Sequence, residues 1–160
     1  MSPSNAKWYA MVKKHHAWKL VDYPDVCLYG EDIFGVHSIE YGSVREEETF
    51  YAFAMRVGTR WVNYDDLVAF CRELDIPVVP LLYRGVFETW SDLDAYIGDE
   101  MCKESVLGGC REGVVIGVDF PGSCSFEYYT QSRAKVVRPN HVQTDEHWSQ
   151  HWKPCRLEVR

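Results

Sequence analysis

No stretch of this chain approaches the roughly 20 consecutive apolar residues that a membrane-spanning helix requires, so a bilayer-spanning helix is excluded. Cys-x-x-Cys spacing is absent too: the six cysteines stand at 27, 71, 102, 110, 124 and 155. The N-terminus shows no charged segment followed by an apolar one. The cysteines are therefore expected to be reduced thiols of an intracellular protein, cytoplasmic or nuclear, and not a disulfide framework. Positive charge is scarce, since 17 Lys and Arg against 24 Asp and Glu leave a net charge of −7. Such a balance gives no overall attraction to a phosphate backbone, and any nucleic-acid contact has to come from local basic clusters. Repeats, low-complexity tracts and linker-like composition are also missing, so residues 1–160 are expected to form a single domain.

What the chain has in quantity is aromatic surface, with six Trp, ten Tyr and seven Phe in a composition that is 46 % hydrophobic. At 160 residues it can bury a substantial core. Trp8, Met11 and Val12 recur at helical spacing with lysines opposite, which predicts an amphipathic helix between Ala6 and Trp18. After the turn-forming Tyr23-Pro24-Asp25, Val26 to Gly30 reads as a short strand. The acidic run Glu46-Glu47-Glu48 is expected to decorate a solvated loop. Thr49 to Val57 and Thr59 to Val62 are rich in aromatic and β-branched residues and predict a hairpin closed at Gly58. A helix capped by Asn63 should follow, with Tyr64, Leu67, Phe70, Cys71 and Leu74 on one face and Pro77 as its stop. Val78 to Tyr83 reads as a buried strand and Thr89 to Ile97 as a second helix. Gly108-Gly109 breaks the chain, and Val114 to Val118 and Ala134 to Val137 look like partner strands. The residues after Trp152 are either a terminal strand or a frayed end. The sum is one α+β unit of mixed strands and peripheral helices.

Four segments carry residues suited to nucleotide chemistry: Tyr29-Gly30-Glu31-Asp32-Ile33-Phe34-Gly35, Phe50-Tyr51-Ala52-Phe53, Arg111-Glu112-Gly113-Val114-Val115-Ile116 and Arg133-Ala134-Lys135-Val136-Val137-Arg138. A carboxylate accepts hydrogen bonds from both hydroxyls of a ribose, an aromatic face on a rigid strand stacks on a base, and a carboxylate is the hard oxygen ligand that magnesium prefers. Taken singly, each segment has a plainer interpretation. Glu31 and Glu112 are ordinary strand-end carboxylates, Phe53 is a core residue and Lys135 is a solvent-facing strand residue.

In their order and spacing, the four segments resemble the nucleotidyltransferase motifs of the ATP-dependent RNA ligase family, in the branch around RNA ligase 2, with a likeness running from Lys7 to Trp152. The resemblance implies an α+β ligase-type nucleotidyltransferase domain, unrelated to ATP-grasp, with mixed, largely antiparallel sheets and peripheral helices. It implies ATP and Mg as cofactors, nicked or broken RNA ends as partners, and RNA end joining through adenylylated intermediates, as in RNA repair. Carried over by position, Glu31 would bind the ribose of ATP, Phe53 would stack on adenine, Glu112 would hold the metal, and Lys135 would contact the α-phosphate. Glu112 and Lys135 are thus the catalytic candidates. Arg138 is the alternative phosphate contact.

The chain departs from the family at several points. Ala54-Met55 stands where the family has Asp-Ile, Gly117 follows Ile116 where it has a basic residue, and Val137 occupies the place of a second lysine. The Lys-x-Asp-Gly element whose lysine becomes adenylylated is missing altogether; Lys19-Leu20-Val21-Asp22 lacks its spacing and its glycine. The expectation is a domain incomplete at its N-terminus, with an exposed sheet edge, that forms no adenylylated intermediate by itself. The alternative is a non-catalytic protein, a degenerate ligase paralogue that still binds nucleotides or RNA ends. An interaction domain with no nucleotide role is the third possibility.

Other features admit two interpretations. His147 and His151 stand at i and i+4, a spacing compatible with zinc, but Trp148 and Trp152 share that period and suggest a packed helix. Asn140 to Trp148 resembles an extension seen in one branch of these ligases and has no assigned role. His15-His16 reads as solvated surface. Lys13, Lys14, Lys19, Arg133, Lys135 and Arg138 form either an RNA-facing patch or, for the first group, one polar helix face.

Overall fold

The computed structural model of the chain describes residues 7–36, 39, 41–109, 111–139 and 152–158. Its strands are β1 (Val26–Asp32), β2 (Gly35–Val36), β3 (Phe50–Val57), β4 (Arg60–Val62), β5 (Gly113–Gly117), β6 (Ser123–Cys124), β7 (Arg133–Val137) and β8 (Lys153–Pro154). Its α-helices are α1 (Ala10–His15), α2 (Tyr64–Glu73), α3 (Trp90–Cys102) and α4 (Phe126–Gln131). Every strand pair is antiparallel: a four-stranded sheet in the order β1-β3-β4-β6 and two small ladders, β2-β8 and β5-β7. Among the described residues β1 is therefore an edge strand.

β3 positions the core. Ala52 and Met55 turn toward Leu67 and Cys71 of α2 and Ile76 beyond it, whereas Ala54 turns the other way, onto Trp61, Phe120 and Cys124. Regular alternation would put Ala52 and Ala54 on one face. A bulge breaks it, because Tyr29 pairs with Ala54 and Gly30 with Ala52, leaving Phe53 as the extra residue. A Cβ on Gly30 would run into the Phe50 ring and the Tyr51 carbonyl oxygen. Only glycine lets the strands approach this closely.

The expected helix after Asn63 is present, and the Asn63 side chain accepts the Asp66 backbone N–H at 2.8 Å. It ends at Leu74. Asp75, with φ 49°, reverses the chain so that the Ile76 N–H returns to the Cys71 carbonyl at 2.8 Å. The second helix runs to Cys102, beyond the expected end, and opens with a reciprocal capping box between Thr89 and Asp92.

Four expectations need correction. The N-terminal helix is only six residues of α-helix, flanked by 3-10 turns at Lys7–Tyr9 and Ala17–Leu20. It stops where His16 turns inward. His16 is 3 % exposed, far from solvated surface, and its Nε2 donates to the Glu47 carbonyl at 2.9 Å. The acidic run is likewise no free loop: Glu46–Glu48 is a 3-10 turn whose Glu46 carboxylate receives Lys14 and His15. Finally, the strand expected over Val78 to Tyr83 shrinks to a single parallel bridge, Ala52 to Val78. Pro80 has no N–H for a ladder, and Leu81, Leu82 and Tyr83 are exposed.

Strands β2 and β6 and helix α4 were not anticipated, because two-residue strands carry no periodicity. The C-terminal strand exists as β8. The five described cysteines are free thiols, and no helix among the described residues is long and apolar enough to cross a membrane. Asn140 to Trp148 and the pair His147 and His151 lie outside the described residues.

Candidate functional site

β1 ends at Asp32, and the chain turns there because the Ile33 N–H goes to the Thr49 carbonyl at 2.8 Å and the Phe34 N–H to Asp32 Oδ1 at 3.1 Å. Ile33 and Phe34 then enter the core beside Val36, Val44 and Cys155. This turn opens a small cleft at the sheet end, lined by Glu31, Asp32, Gly35, Tyr41 and Glu112 among others. Two of the four candidate residues, Glu31 and Glu112, therefore meet in one place although they are far apart in sequence.

Glu112 reaches the cleft because the segment before β5 is anchored to α3. The Arg111 guanidinium is 9 % exposed, pairs with the buried Glu100 carboxylate and donates to the Glu104 carbonyl. Across the ladder, the Arg138 N–H bonds to the Glu112 carbonyl at 3.0 Å, and Arg138 Nη2 donates to the Met101 carbonyl at 2.7 Å. Arg138 is thereby turned toward the C-terminal end of α3, where a cation complements the helix dipole. Lys135 is the basic residue beside the cleft. Its ammonium stands 3.6 Å from Glu112 Oε1, with side-chain exposures of 60 % and 28 %. A pair this exposed is worth under about 1 kcal/mol, so the lysine can exchange the carboxylate for a phosphate at little cost.

Phe53, the extra residue of the β3 bulge, is 46 % exposed. It belongs to neither face of the core, which leaves its ring available to a base. The cleft itself encloses about 30 Å³, room for about one water or an ion but not for a purine. A bound base would have to lie outside it.

Two residues of the cleft were missed. Asp32 adjoins Glu31, and the turn at the strand end brings both to the cleft. Burial pushes its carboxyl up to about 6, against the Phe34 N–H and with a further rise from Glu31. Its Oδ2 is buried and has no hydrogen-bond partner among the described residues. Tyr41 stands in a part of the sequence that carries no motif or periodicity. Its phenol is pushed up first by burial and then by the negative charge of Glu112 and Glu31.

The cleft is thus a negative site with an exposed lysine beside it. No group of three or more His, Cys, Asp or Glu side chains among the described residues is gathered closely enough to hold a metal ion unaided. Magnesium does not need one: it keeps several waters and is held by one or two carboxylates together with substrate phosphates. Glu112 fits that manner of binding. The basic positions Lys14 and Lys19 point elsewhere, to Glu46 and to the Asp75 carbonyl, and do not join Lys135 in a patch.

A family model described as RNA ligase matches residues 2–137, most of the chain, and includes Glu31, Phe53, Glu112 and Lys135. The match ends before Asn140, short of the likeness read from the sequence as far as Trp152. No curated protein and no solved structure matches the chain.

Proposed function

The chain belongs to the RNA ligase family, and on that premise we propose that its cleft is the nucleotide site of an RNA end-joining domain that works through adenylylated intermediates. The observation that carries this proposal is the meeting of Glu31 and Glu112 in one cleft with Lys135 beside them. Glu31 would accept hydrogen bonds from the ribose hydroxyls of ATP, and Phe53 would stack on its adenine. Lys135 would bind the α-phosphate and stabilise the negative charge that grows there as a phosphoanhydride or phosphodiester exchanges partners. Glu112 would hold magnesium, which when bound supplies positive charge to phosphate oxygens. The ligase-type nucleotidyltransferase fold is part of the same proposal.

The 160 residues contain no Lys-x-Asp-Gly. These residues alone therefore bind and orient a nucleotide but offer no lysine in that element to attack it. The second reading is a non-catalytic protein that binds nucleotides or RNA ends, and Ala54-Met55 in place of the family's Asp-Ile, which removes a carboxylate, favours it.

Calorimetric titration with ATP and magnesium tests the site. Phe53→Ala should weaken ATP about fivefold, equivalent to the roughly 1 kcal/mol of an aromatic stack, and an unchanged affinity would overturn the pocket. Mass spectrometry after incubation with ATP should show no added AMP. The two readings separate when pre-adenylylated RNA is supplied with a 3′-hydroxyl acceptor, a reaction needing no lysine nucleophile: sealing identifies an enzyme, and binding without sealing a degenerate paralogue.

A further inference from the structure

Arg45, Arg84, Lys103 and Arg111 each pair with a carboxylate. Arg133 does not, among the described residues. Its Nη1 makes hydrogen bonds to three uncharged acceptors, the carbonyls of Val118 and Ser132 and the Ser132 hydroxyl, at 2.9, 3.1 and 3.2 Å. Its guanidinium carbon lies 4.6 Å from the Tyr129 ring centroid and 5.8 Å from that of Phe120. Tyr129 is itself stacked on Trp61 at 4.2 Å and 14°. On the facing strand is Gly117, where a Cβ would come within 2.7 to 2.9 Å of the guanidinium. The cation is held in place by rings, carbonyls and a missing side chain, and its charge is left uncompensated in a chain of net charge −7.

The surroundings continue this pattern. Arg133 and Lys135 lie two residues apart on β7, so their side chains share a face and are separated by about 7 Å along the strand. That is close to the spacing of consecutive phosphates in an extended nucleic-acid strand. Two exposed rings border the cluster: Phe126, 58 % exposed and 6.2 Å from the Trp61 ring, and Tyr128, 47 % exposed and 6.0 Å from that of Phe120. Exposed aromatic faces beside an uncompensated cation suit unpaired bases on a phosphate chain.

We propose that Arg133 binds a backbone phosphate of single-stranded RNA whose path runs along β7 outward from Lys135, with bases laid on Phe126 and Tyr128. This surface rests on the nucleotide site proposed above, from which the path begins. It supplies the local positive charge that the acidic composition otherwise denies the chain.

The test is fluorescence anisotropy of the whole chain with a short, labelled, 5′-phosphorylated single-stranded RNA over a range of salt concentrations, alongside ATP titration. Arg133→Gln should weaken RNA about fivefold or more and flatten the slope of log affinity against log salt by about 0.7, the share of one phosphate contact on a single strand. Phe126→Ala should weaken RNA about fivefold while leaving that slope unchanged, because stacking carries no charge. Gly117→Ala, which keeps the arginine but displaces it, should act in the same direction as Arg133→Gln and serves if that variant melts early. Arg72→Gln, on an exposed position of α2, is the control and should change nothing. An Arg133→Gln variant that melts like the parent and keeps its affinity and salt slope overturns the proposal. A parent that binds ATP but not RNA also overturns it and leaves the nucleotide site standing; a parent that binds neither removes both.

Discussion

Lys135 of β7 and Glu112, the residue just before β5, hold ammonium and carboxylate 3.6 Å apart beside the cleft. In the proposed site this pair would open on binding, Glu112 exchanging the lysine for a metal and Lys135 exchanging the carboxylate for a phosphate.

Removing either partner should separate phosphate binding from base binding. Lys135→Ala is expected to weaken ATP about tenfold, the worth of a charge-assisted hydrogen bond, and to leave adenosine affinity unchanged. Glu112→Gln should abolish the gain in ATP affinity that magnesium gives. Both variants should melt within about 1 °C of the parent, because an exposed pair contributes little to stability. Calorimetry with ATP, with adenosine and with each plus magnesium checks the three binding expectations, and a thermal melt of each variant checks the fourth.

Asp32 sets a pH dependence of one sign. Its carboxyl is pushed up to about 6 in the folded chain against about 3.9 when unfolded. Between these values the folded state binds more protons, so the stability contributed by the protonated acid is full below about pH 4 and is lost as pH rises through about 6. Asp32→Asn should therefore stabilise the chain at pH 7, by about 2 kcal/mol, and make no difference at pH 4. Urea unfolding at the two pH values measures the difference. Equal midpoints at pH 7 would show that the carboxylate is already solvated or paired.

His16 acts with the opposite sign. Burial lowers its pKa, offset in part by the hydrogen bond to Glu47, and its buried Nδ1 has no hydrogen-bond partner among the described residues. The folded state thus prefers the neutral ring, while the unfolded chain takes up a proton below about pH 6.5. Stability from this group is present above that value and is lost as pH falls below it. His16→Gln keeps a donor for the Glu47 carbonyl, so the fall in urea midpoint between pH 7 and pH 5.5 should shrink relative to the parent.

Much of the local structure was legible before any coordinates. Asn63 as a cap, the apolar face of Leu67 and Cys71, the turn at Gly58 and the partner strands expected over Val114 to Val118 and Ala134 to Val137, present as β5 and β7, follow from spacing and side-chain chemistry. Val78 to Tyr83 was misjudged because β-branched and apolar residues promise a strand only if a neighbouring strand is there to receive their N–H and carbonyl groups, and beyond Val79 there is none among the described residues. His15-His16 was misjudged for a similar reason: polarity predicts exposure, but His16 finds the Glu47 carbonyl and the Phe50 ring 5.8 Å away.

By itself the sequence determined the residue types available for nucleotide chemistry, their order along the chain and the absence of Lys-x-Asp-Gly, since covalent composition needs no folding. It also settled helix caps and hairpin turns, which depend on neighbours a few residues away. Only the tertiary structure decided that Glu31 and Glu112 share a cleft, that Asp32 and Tyr41 join them, that Arg138 turns to α3 while Lys135 does not, and that Arg133 keeps an uncompensated charge between two rings. Those facts depend on the bulge at Phe53, on the turn after Asp32 and on the anchoring of Arg111. Each is a packing event between segments distant in sequence, which no local pattern encodes.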